Sequence, residues 1–236
     1  MRTPNVVSLA MYANAVADRY AVTVQSGGSA AYTVPPENGK GALINVPAVI
    51  PDIPEAGMLV EGYVDHEVGN CRYSDWQEWK ALHAEGPMER SIGNAIEDAF
   101  VERRLAEDFP GVADRLALLN TTMFGKPVEE MPPSDNPAGA VHNHVLYQCL
   151  TTARQCSDAV RERAVAVREQ CESLFPGLPA ALDTVLADKN ALKGMVEQVI
   201  KDDFPYGRAF IEEMRALLKS KVGEIVSGRA EAANQA

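Results

Sequence analysis

The chain has 236 residues, 46% of them hydrophobic and 23% charged, with a formal net charge of −11. That length is enough for a sizeable core in one large domain. The acidic balance lacks the Lys/Arg footprint of a phosphate-backbone binder, and no run approaches the ~18 apolar residues that span a bilayer. No nucleic-acid partner and no membrane partner are therefore expected.

The first twenty residues contain Arg2, Asn14, Asp18 and Arg19. They read as an amphipathic helix over 6–19 and not as a secretory signal, so the cytoplasm is the expected compartment. "AVTVQSGGSAAYTV" predicts two short strands, Ala21–Gln25 and Ala31–Val34, joined as a hairpin by a Gly-Gly-Ser turn. Nothing around Gly27-Gly28 makes a phosphate loop. A third strand is expected at Ala42–Val46, and prolines 47, 51 and 54 punctuate the stretch after it.

Helices are expected over about 55–70, after a Ser74 N-cap up to a Gly86 stop, over about 89–108 and over about 112–120. Phe109-Pro110-Gly111 separates the last two. Pro-rich 125–139 reads as a linker, and everything beyond it as helix, at about 138–155, 157–175, 178–188, 191–201 and 205–233. The fold class is α+β with a helical majority, divided as 1–124, the linker 125–139, and a helical region 140–236. The four cysteines, Cys71, Cys149, Cys156 and Cys171, form no C-x-x-C pair and are expected as free thiols.

Chemistry concentrates in "GYVDHEVGN", residues 62–70. Residues i and i+4 of a helix share a face, so His66 and position 70 point the same way, with Glu67 one step around. An H-E-x-x-H helix uses that spacing to hold Zn²⁺ with two imidazoles while the Glu polarises a water. Here position 70 is Asn, whose amide oxygen is a poorer zinc donor. Downstream, Asn94, Glu97 and Asp98 put a polar patch on an otherwise apolar helix, and burying that patch needs a partner. Two readings stay open: a cation, or a hydrogen-bonded network with Arg72 that staples the helices together. Asp65 reads as a solvated neighbour, and His83 as a helix-surface residue. "HNH" at 142–144 puts its histidines on different helix faces and lacks a ββα-metal context.

Gly39-Lys40, "INVP" at 44–47, Gly62-Tyr63, His66-Glu67, Arg72, Ser74 and Asp75 precede Asn94, Glu97-Asp98, Glu102 and Pro110-Gly111. In that order and spacing, over roughly residues 20–120, the chain resembles the zincin-like region of CobT-type cobaltochelatase subunits and their phage-encoded relatives. The resemblance implies His66 and Glu97 as metal ligands, with Asn70 in the place of the second histidine. It implies Glu67 as the catalytic acid/base, with Arg72, Asn94 and Asp98 in support, and Zn²⁺ as a cofactor weakened or lost at Asn70. It also implies work beside an AAA+ (MoxR-like) ATPase in metal insertion or protein remodelling. A metallopeptidase using Glu67, and a non-catalytic interaction module, are the alternatives. The sequence carries no D-x-S-x-S motif, so a von Willebrand A domain is not expected here; the resemblance suits a truncated relative or one domain of a longer protein.

Overall fold

A computed structural model describes residues 6–18, 21–37, 41–74, 76–77, 79–80, 87–127, 130, 137–153, 156–180 and 183. The helices expected over 191–201 and 205–233, as well as His83 and Gly86, lie outside the described residues. The observed class is the one expected: mostly helical, with a small three-stranded N-terminal sheet. No described helix is long and apolar enough to cross a membrane.

Helix α1 (Val6–Ala17) buries Leu9, Ala13 and Val16 against the sheet. It gives way at Asp18, whose φ of 54° breaks the helical path. Asn14 then ties helix to strand, donating to Val22 O at 2.6 Å and accepting from Val22 N at 2.9 Å. The strands β1 (Val22–Ser26), β2 (Tyr32–Val34) and β3 (Ala42–Val46) fall within a residue of expectation.

The expected β1–β2 hairpin does not form. Strand β3 lies between them, parallel to β1 with Val22 opposite Ala42, and antiparallel to β2 with Tyr32 opposite Asn45. β3 takes the centre because it is the strand with a near-continuous buried run: Ala42, Ile44, Asn45 and Val46. Tyr32 and Val34 of β2 remain exposed, as an edge strand allows. Asn45 also fixes the Gly-rich turn, donating to Gly27 O at 2.9 Å and Ala30 O at 2.7 Å. Gly28 takes a φ of 59° there, which favours glycine.

Helix α2 (Ala56–Tyr73) continues three residues past the expected Asn70 end. Ser74 caps its C-terminus, its N–H returning to Asn70 O at 3.1 Å, and residues 76–77 and 79–80 are helical where the next helix is expected. Beyond it come helix α3 (Pro87–Asp108), a 3₁₀ turn (Pro110–Val112) and helix α4 (Ala113–Phe124). At Gly62 of α2, an added Cβ would sit 2.7 Å from the Arg115 carbonyl oxygen of α4, so glycine permits that close approach. One core joins α1, the sheet, α2 and the ends of α3 and α4 through Ile44, Leu59, Val64, Val68, Leu105 and Leu116.

Helices α5 (Pro137–Ala153) and α6 (Asp158–Leu174) pack on each other, and α5 also packs on α3. Tyr147, Leu150, Val160 and Val167 form their shared core, and Tyr147 reaches back to Phe124 O at 3.0 Å. All four cysteines are free thiols, as expected.

Candidate functional site

The packing of α2 against α3 brings His66 to the two carboxylates spaced i,i+4 along α3. Its Nδ1 lies 2.8 Å from Glu102 Oε1 and its Nε2 3.6 Å from Asp98 Oδ1. Residues four apart share a helix face, so one imidazole meets both carboxylates without distortion. Each carboxylate is held in turn. Asn120 of α4 donates to Glu102 Oε2 at 2.9 Å, and Asn94 donates to Asp98 Oδ2 at 2.9 Å. Glu102 and Asn120 are fully buried, while His66 keeps 18% of its side chain exposed.

Burial opposes a charge on His66. The Asp98 charge, the Glu102 hydrogen bond and the Glu67 charge outweigh it and push the imidazole up to about 10. Glu67 turns toward the sheet, where Thr33 Oγ1 of β2 lies 2.7 Å from its Oε2. Burial raises the Glu67 carboxyl, against the pull of His66, Thr33 and Asn70. Cys71 is buried, and its thiol is pushed up to about 12 by burial and then by Glu67.

The sequence-predicted residues divide. His66, Glu67, Asn70 and Asp98 gather at one place, and Glu97 is buried on the same helix as Asp98. The carboxylates acting on His66 are Asp98, Glu102 and Glu67. Arg72 works elsewhere: it donates to Val16 O at 2.7 Å and to Tyr73 Oη at 3.0 Å, and lies 3.5 Å from Asp18. Six residues at ~100° each carry it well around the helix from His66. The polar network between α2 and α3 takes its cation from His66 instead.

Asp65, expected in solvent, is fully buried. One step around α2 from His66, it faces α1 and α4, where Arg115 Nε meets Oδ2 at 2.5 Å and Tyr12 donates to Oδ1. Burial raises its carboxyl while Arg115 and Tyr12 pull it down. Asn120 carries no sequence signal: it stands 54 residues from His66 on another helix, where no spacing rule applies.

Comparison with known families bears on this geometry. A family model described as "Cobalamin biosynthesis protein CobT" matches residues 7–222. The chain belongs to the CobT family. No curated protein and no solved structure matches it. The match runs through the site and on into the C-terminal helices, well beyond the stretch that carries the motif resemblance.

The zinc that the resemblance implies needs three protein donors. His66 Nε2 and Asp98 Oδ1 face each other, and position 70 offers an amide. Among the described residues, no three His, Cys, Asp or Glu side chains are placed to hold a metal ion together. This CobT-family donor set does not fit a resident three-ligand zinc.

Proposed function

We propose that this CobT-family chain carries a degenerate zincin-type centre and acts beside an AAA+ ATPase of the MoxR type. The centre combines His66 and Glu67 of the HEVGN segment with Glu97 and Asp98 of NAIED. The joint work is metal chelation or protein remodelling. The family match over residues 7–222 supports the assignment to this machinery. The observation that carries the degeneracy is His66, engaged by a carboxylate at each nitrogen, four residues before a carboxamide where a second imidazole would stand. No phosphate loop is read in the sequence, so the energy comes from the partner.

Capture and metal content test this reading. The tagged full chain is expected to retain a MoxR-type ATPase from a mixed extract and to change its ATP turnover in a purified assay. Failure to bind or affect any such ATPase removes the partner. Wild type is expected to purify with well under one zinc per chain, and Asn70→His with close to one. Stoichiometric zinc in wild type removes the degeneracy.

A further inference from the structure

The mismatch between this donor set and zinc has a constructive side, which rests on the degenerate-site reading above. We propose that the site is a metal-independent clamp, in which the His66 imidazole takes the place of an ion, joins α2 to α3 through both of its nitrogens, and reaches Asn120 of α4 through Glu102.

The geometry forms an unbroken line of side chains. Asn120 on α4 holds Glu102, Glu102 holds His66 Nδ1, His66 Nε2 faces Asp98, and Asn94 holds Asp98. The contacts are 2.9, 2.8, 3.6 and 2.9 Å in that order. Glu102 is 1% exposed and Asn120 fully buried. A carboxylate at that depth is tolerable only with a positive or hydrogen-bonding neighbour, and here the imidazole and the carboxamide supply both. The line is tightest at Glu102 and loosest at Asp98, so the strength of the clamp rises toward the α4 end. Within this line Glu102 is answered on both oxygens without an ion, by His66 and by Asn120.

Thermal unfolding of the full chain tests this, scanned as purified, after EDTA, and with added zinc. The midpoint is expected to stay within ~1 °C across the three conditions. Glu102→Gln is expected to lower it by ~4 °C or more, and Asn120→Ala and Asp98→Asn by less, on the usual scale of ~2–4 °C per kcal/mol for a chain of this size. Should Glu102→Gln not fold, the other two variants carry the test. Slowly exchanging proton signals at both ring nitrogens of His66 in the metal-free protein would support the clamp further. An EDTA-induced drop, a zinc-induced rise, or variants that all melt with wild type would overturn it. ATPase capture is scored separately, so a clamp that fails leaves the partner reading standing, and the reverse.

Discussion

His66 and His144 invite comparison. Both are histidines on helices, and both stand close to a carboxylate, His66 to Glu102 at 2.8 Å and His144 to Asp183 at 3.0 Å. Yet the first is pushed up to about 10, while the second lies below its ordinary value. Burial disfavours the charge in both cases. His66 answers it with Asp98, Glu102 and Glu67. His144, 2% exposed, is answered by Asp183 and a backbone hydrogen bond at Pro179, and Arg168 takes the Asp183 carboxylate's other oxygen at 2.8 Å. The balance of carboxylates against cations within reach, not depth, decides which imidazole is charged. The N-terminal core therefore uses histidine as a cation, and the α5–α6 region uses it as a neutral polar group.

Three experiments break or sharpen that contrast. The largest effect is expected where the cation is permanent. Arg115→Met leaves Asp65 buried with Tyr12 as a neutral partner, and should cost ~3–5 kcal/mol in urea unfolding. A loss no greater than that of a surface substitution would mean that Asp65 folds as the neutral acid. Next comes the pair of histidine variants. His66→Gln removes charge-assisted bonds and is expected to cost ~1.5–3 kcal/mol, against ~0.5–1.5 for His144→Gln. Equal costs would end the distinction between the two regions.

The smallest effect is the most direct. By NMR, His144 should release its proton below the ordinary 6.5, while His66 keeps its proton throughout the neutral range. For His144 the sign is that of a depressed folded value. The unfolded chain takes up the proton first, so its contribution to stability is present above ~6.5 and declines as the pH falls toward the folded value. Arg168→Gln removes one cause of the depression and should move His144 upward.

Much of this is legible in the sequence, for identifiable reasons. The strands show in their β-branched runs, and α3 shows in its apolar spacing up to Phe109-Pro110-Gly111. The His66–Asp98 meeting comes from two motifs on adjacent helices. The hidden part depends on rotation and on distance along the chain. Asp65 and His66 differ by one step of α2, yet Asp65 meets Arg115, which a sequence 50 residues apart does not announce. Proximity in sequence puts Arg72 with the carboxylates, and helix rotation takes it to Val16 and Asp18. The hairpin expectation fails because a Gly-Gly turn signals a reversal but not which strand fills the next place.

That strand order governs how the sheet is assembled. A chain leaving the ribosome releases β1 and β2 before β3 exists, and the two lie near enough along it to pair with each other. Any such pairing must come apart again, because the last strand made belongs in the middle. The sheet therefore completes by insertion and not by zipping from a turn, a non-local step of the slower kind. The Asn14 contacts with the N–H and C=O of Val22 span only eight residues, so the beginning of β1 is tied to its own helix by a local link that does not depend on β3.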